Sequence, residues 1–144
     1  MDFMELLERR TIRFFRQEPV PEADLRKMLD AARRASCGAN AQILRYMVIR
    51  DPELVEKVFY CTAYAGKVKP RRSPVWGVNA PLTFIALLAP EGLQVRYLLA
   101  VGYPAELYPV QDEIGPDGNP DYYLDAEDRL HVPKYTVDAL TEWK

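Results

Sequence analysis

The stretch Ser36-Cys37-Gly38-Ala39-Asn40-Ala41-Gln42, followed by Leu44-Arg45-Tyr46-Met47-Val48-Ile49, decides how this chain is read. Its first half packs small residues and two amides into a segment that cannot extend a helix. Gly38 can supply the left-handed residue that ends one. Its second half is a short apolar run rich in β-formers, closed by Asp51-Pro52, and reads as a largely buried strand. A loop between a helix and a strand places backbone N–H groups and the Asn40 and Gln42 amides where they can meet a planar heterocycle, since both side chains donate and accept. The plainer alternative, a helix cap and turn, uses the same residue types.

Working outward, Leu25, Met28, Leu29 and Ala32 recur at i, i+3, i+4 and i+7 behind Pro19-Val20-Pro21, with Glu22 and Asp24 in the first turn and Arg33 and Arg34 in the last. That is an amphipathic helix with its dipole complemented at both ends. Downstream, residues 52–59 suit a second helix with Leu54, Val55 and Val58 on one face, giving helix, strand, helix. The segment 67–74, with Lys67, Lys69, Arg71, Arg72 and two prolines, reads as a solvated basic loop. Leu82 to Leu88 and Val95 to Val101 are strands that should pair across Ala89-Pro90-Glu91-Gly92. Between Tyr108 and Asp128 the acidic, turn-rich composition predicts an exposed loop, and Thr136 to Trp143 a last short helix. Phe3, Leu6 and Leu7 mark an N-terminal helix running into Arg9-Arg10-Thr11-Ile12-Arg13.

The 144 residues are the size of one domain, and 49% hydrophobic with 28% charged residues is the balance of a globular α+β chain, not a disordered one. A net charge of −2 supplies no global field for nucleic acid or an anionic membrane. Cys37 and Cys61 form no disulfide framework and suit a reducing cytoplasm. The acidic start Met1-Asp2-Phe3-Met4-Glu5 is unlike an export signal, and the longest apolar stretch, 80–89, is too short and too interrupted to span a bilayer. His131, the sole histidine, reads as structural, and no metal site is predicted.

Arg9, Arg10 and Arg13 can converge from one helix end, and guanidinium forks bind phosphate oxygens in pairs, with the Thr11 hydroxyl as a neutral donor. Taken alone, that cluster reads as a solvated basic helix end paired with Glu5 and Glu8.

Together and in this order, the two motifs resemble the nitroreductase family: Arg9-Arg10-Thr11-Ile12-Arg13, then Pro19-Val20-Pro21-Glu22, then Ser36 to Gln42 ahead of the first long strand. The resemblance resumes at Gly102-Tyr103-Pro104-Ala105-Glu106, Tyr122-Tyr123 and His131-Val132-Pro133-Lys134. It implies a single α+β domain, a nitroreductase-like mixed sheet flanked by helices, that binds flavin mononucleotide (FMN) in a homodimer. It further implies that Arg9, Arg10 and Thr11 hold the FMN phosphate and ribityl chain with Lys134, and that Arg13 lies near flavin N1 and O2. Ser36, Cys37, Asn40 and Gln42 would come from the partner subunit. No catalytic residue of the protein is implied, because the flavin carries the chemistry. Cys37 stands where the family usually has Ser and reads as a small neutral contact, and Ile43-Leu44 replaces the commoner Pro-Trp.

The resemblance breaks at Ala89-Pro90-Glu91-Gly92-Leu93, where the family carries a block of helices including a long central one. Losing that block uncovers apolar sheet surface, at about 25 cal/mol per Å², so that the chain must repack, take a partner or fold poorly. The functional expectations are therefore two. The first is an FMN-dependent oxidoreductase passing electrons from NAD(P)H to nitroaromatic, quinone or similar small acceptors. The second is a non-catalytic remnant that dimerises or binds a ligand.

Overall fold

The computed structural model describes residues 12–64, 66, 68, 72–89 and 91–142. The N-terminal helix and Arg9-Arg10-Thr11 anticipated from sequence lie outside them. The chain is α+β and divides into two compact units, one formed by Phe14–Thr62 with Val75–Ala105, the other by Ala63–Pro74, Glu106–Lys144 and the segment ending at Arg13.

The first unit is built on an antiparallel sheet of strand order β1 (Arg45–Ile49), β2 (Thr83–Ala89), β3 (Gln94–Val101). β2 is central, and Thr83, Phe84, Ile85, Ala86 and Leu88 are all buried, which explains its unbroken apolar sequence. Helix α1 (Glu22–Arg33) covers one face: Leu25, Val20 and Ile85 form a buried cluster with Leu29, Tyr46, Val48 and Leu87 around it. Cross-strand pairing puts Tyr97 opposite Leu87 and Leu99 opposite Ile85, hence on the same face as α1. Yet Tyr97 and Leu99 stay 68% and 51% exposed, because, of β3, only Val101, at its end, packs against the cluster under α1. The β2–β3 turn is tight, with Gly92 at φ +72 inside a 3-10 turn at Glu91–Leu93.

Helix α2 (Pro52–Tyr60) starts where Pro52 occupies the first turn and the Asp51 carboxylate accepts the Leu54 N–H at 3.0 Å. Its buried Val55 and Phe59 set the inner face, with Phe59 packed on Trp76. The approach to α1 is an extended segment held by Arg16 N–H to the Tyr103 carbonyl and Ala105 N–H to the Phe14 carbonyl, both 2.9 Å. There the buried Phe15 lies so close that a Cβ on Gly102 would fall 2.8 Å from its ring, so glycine is required at that position.

The second unit corrects the expectation of an exposed loop between Tyr108 and Asp128. Residues 110–114 run parallel to 130–136, with β4 (Glu113–Ile114) pairing β7 (Lys134–Tyr135), while β5 (Tyr123–Leu124) pairs β6 (Leu130–His131) antiparallel. The ladder consists of Val110 N–H to Leu130, Val132 N–H to Val110, Lys134 N–H to Asp112 and Thr136 N–H to Ile114. Val68, Leu130 and Val132 close beneath it with Leu124. These strands are two residues long and carry no alternation, so composition alone suggested a loop. Helix α3 (Val137–Leu140), capped by Thr136, is shorter than anticipated. No helix among the described residues is long and apolar enough to cross a membrane.

Candidate functional site

Helix α1 ends without help from glycine. Arg34 and Ala35 donate to Ala31 and Ala32, tightening the last turn by i to i−3 bonds, and Arg34 itself stays right-handed at φ −83. Gly38 is therefore not the left-handed cap expected from sequence. The left-handed residues come later and carry side chains: Ala39 and Asn40 at φ 51 and Gln42 at φ 44. Asn tolerates this conformation, whereas at Ala39 and Gln42 it costs about 1 kcal/mol each and persists only where neighbours enforce it.

Those neighbours can be named. Asn40 N–H donates to Cys37 O, and Ala41 N–H to Gly38 O, both at 3.1 Å. The Gln42 N–H donates to Cys37 Sγ at 3.4 Å, and the Gln42 Nε2 amide donates to Asn40 Oδ1 at 3.1 Å. Arg45 Nη1, from the start of β1, donates to the carbonyls of Gln42 at 3.0 Å and Leu44 at 3.1 Å.

Beside this loop opens a cavity of about 680 Å³ whose lining includes Ser36, Cys37 and Gln42 of the loop, Arg33 of α1, and Arg45 and Tyr46 of β1. Its size is that of a small-molecule site, for which ~300–1,000 Å³ is usual. Among the sequence-derived candidates, Ser36, Cys37 and Gln42 thus line one cavity, and Asn40 is tied to it through Gln42. The Gln42–Asn40 bond uses one donor and one acceptor, which leaves the side-chain oxygen Gln42 Oε1 and the side-chain amide Asn40 Nδ2 as an acceptor and donor pair. That pattern fits the imide edge of a flavin. Cys37 and Cys61 are both free and exposed.

Arg13 and Lys134 belong to the second unit. The Arg13 N–H donates to Glu106 Oε1 at 2.6 Å, and its guanidinium lies 6.0 Å from the centroid of the Tyr122 ring. Glu106 Oε2 sits 3.4 Å from Arg72 Nη2, with side chains only 10% and 17% exposed. Arg72 is thus a half-buried structural cation, a correction to its reading as part of a solvated loop. Lys134 is exposed on β7.

The model of the Nitroreductase family matches residues 6–75, a span that includes the arginine segment, α1 and the Ser36–Gln42 loop. Residues 6–75 belong to the nitroreductase family. The chain is also similar to an NADH dehydrogenase of Thermus thermophilus, 52% identical over 46 residues, which are 32% of this chain and 22% of that protein. It is 38% identical over 58 residues to iodotyrosine deiodinase 1 of Rattus norvegicus, 40% of this chain and 20% of that one. The chain spans about a fifth of the length of these relatives.

Beyond the nitroreductase-family segment, the ladder unit holds a constellation that sequence reasoning missed. His131 Nδ1 lies 2.7 Å from Asp112 Oδ2 and Nε2 lies 3.1 Å from Asp125 Oδ2, while its ring stacks on Tyr123 at 4.5 Å. The Tyr123 hydroxyl donates to the same Asp112 oxygen at 3.0 Å. Bonding to Asp112, opposed by desolvation and reinforced by Asp125, raises the His131 pKa above its ordinary value. Asp125 is held below the usual carboxylate range, chiefly by the Arg129 N–H and against desolvation, with His131 and the Glu127 N–H adding to it. Burial, then the bond to Asp112, raises Tyr123. The partners lie 19 and 6 residues from His131 in sequence, so no local motif announced them. Both ring nitrogens are occupied, which makes this a structural clamp; no cluster of three or more His, Cys, Asp or Glu that could hold a metal occurs among the described residues.

Proposed function

We propose that this chain is an FMN-dependent oxidoreductase of nitroreductase type, taking electrons from NAD(P)H and delivering them to a nitroaromatic, quinone or similar small acceptor. The observation that carries the reading is the cavity beside residues 36–42, lined by Ser36, Cys37 and Gln42 within the nitroreductase-family segment. When bound, FMN supplies the hydride and electron-transfer chemistry. The protein's part is to bind and orient it. Ser36, Cys37, Asn40 and Gln42 would face the pyrimidine edge, with the side-chain Gln42 Oε1 and Asn40 Nδ2 as complementary partners. Arg13 would place a fixed cation where reduction leaves negative charge. Arg9, Arg10, Thr11 and Lys134 would hold the phosphate and ribityl chain. The two residue sets would come from different subunits of a homodimer.

The visible spectrum of the purified protein together with its mass in solution tests cofactor and assembly at once. A yellow dimer bleached by NADPH is the expected result; colourless protein that takes up no added FMN refutes it.

One observation favours a second reading. β2 connects to β3 through residues 90–93 alone, and Tyr97 and Leu99 stand exposed on the sheet. A ligand-binding module without turnover would keep the residues 36–42 and lack cover over the flavin. It predicts FMN uptake with no NAD(P)H oxidation.

A further inference from the structure

We propose that Arg45 is a positioning residue, whose guanidinium holds the left-handed backbone of Ala39 to Gln42 and so presets the Asn40 and Gln42 amides for a ligand. The proposal rests on the reading of residues 36–42 as the flavin-edge site.

The need for such a device follows from the backbone. Ala39, Asn40 and Gln42 all have positive φ, and the one glycine within the turn, Gly38, does not. Within this loop, the bonds from Asn40 N–H and Ala41 N–H span the first two of these residues only. Gln42 N–H has a sulfur acceptor at 3.4 Å, and sulfur is a weak one. The Gln42 carbonyl is what Arg45 grips, and the same nitrogen reaches the Leu44 carbonyl, so one planar group fixes both ends of the step from loop to strand. Charged donors make the stronger class of hydrogen bond. Arg45 is itself anchored as the first residue of β1, paired with Leu88 of the buried central strand. The sheet thereby transmits its rigidity to residues that have no cross-strand partner among the described residues.

Gln42 and Asn40 are bonded side chain to side chain, so the orientation of both amides depends on the Gln42 backbone. If that backbone relaxed to right-handed φ, the donor and acceptor pair would turn away together. Arg45 therefore acts on the ligand through the loop, although it also lines the cavity.

The test uses Arg45→Met, which keeps the stem and removes the donors, and Ala39→Gly, which admits positive φ without a Cβ penalty. In ligand-free protein, Arg45→Met should speed amide hydrogen exchange at residues 40–42 on the order of tenfold, the worth of its hydrogen bonds, and leave Val55 and Phe59 of α2 unchanged. Adding Ala39→Gly should restore much of that protection. FMN affinity, followed by flavin fluorescence, should fall and recover in parallel. Unchanged exchange in Arg45→Met overturns the proposal, including the case where affinity drops, since Arg45 would then touch the ligand directly. Failure of Ala39→Gly to rescue also overturns it. If the unmodified protein takes up no FMN, the proposed function falls, while the exchange data still decide the role of Arg45.

Discussion

His131 concentrates the chemistry of the ladder unit in one ring. An imidazole with carboxylate oxygens at both nitrogens can donate to both only when protonated, so the imidazolium is the form that this geometry selects. Its folded pKa is raised above its unfolded value. The stabilisation is therefore complete below the unfolded histidine pKa and is lost as pH rises through the higher folded value. Asp125 has the opposite linkage: its folded pKa is depressed, so its contribution is present above the unfolded carboxylate value and is lost as pH falls through the folded one. The ladder should be firmest between those limits. Titration of the His131 ring by NMR should give a pKa above that of a free imidazole, and raising pH from 6 to 9 should lower the protection of the Val132 and Lys134 amides, measured relative to the base-catalysed exchange of an unfolded chain at the same pH. In His131→Gln that alkaline loss of protection should vanish; its persistence would assign it to another group.

At the scale of elements, packing and charge make separable contributions. Leu25 is 2% exposed in the cluster between α1 and β2, and Leu25→Ala should lower stability by about 3 kcal/mol through lost burial and a cavity. The α1 ion pairs are different: Arg26 with Glu22 and Lys27 with Asp24 have exposed partners at helical spacing. Solvent and salt screen such exposed pairs almost completely, so Arg26→Ala should barely move the denaturation midpoint. Urea unfolding of the two variants checks the contrast. α1 was legible from the sequence because its apolar period and flanking charges act locally, and β2 because it is a continuous apolar run; β1 and β3 were legible as strands from their β-formers, but β1 is not the largely buried strand expected, since only Ile49 of it is buried. The Ser36–Gln42 loop was legible as a motif, and three of its candidates do line one cavity. Its backbone was not: the left-handed residues are Ala39, Asn40 and Gln42, fixed by Arg45 from the next strand, and propensity alone pointed to Gly38. The ladder of residues 110–136 was invisible for a related reason. It is held by backbone bonds and by His131 between two distant aspartates, which no window of sequence contains.

Across the whole molecule, surface left uncovered sets the remaining behaviour. Among the described residues β3 is an edge strand eight residues long, with no strand paired to its outer side, and Tyr97 and Leu99 are half to two-thirds exposed. Long apolar edges recruit other chains unless something blunts them. A register irregularity at Leu87/Leu88 and the exposed Arg96 blunt only the N-terminal end of β3. From Tyr97 onward, pairing with β2 is regular, and no strand among the described residues pairs with the outer edge. A net charge of −2 offers little repulsion between copies. Self-association should therefore run through the C-terminal half of β3. Placing a charge on that face by Leu99→Lys opposes it at small cost to the fold, since Leu99 is already 51% exposed. Sedimentation at matched concentrations should show a lower average mass for Leu99→Lys than for the unmodified chain, with Leu107→Lys, a 76% exposed residue outside the sheet, as the control that leaves mass unchanged. Equal masses for Leu99→Lys and the unmodified chain would place the contact elsewhere and leave the open edge without a role in assembly.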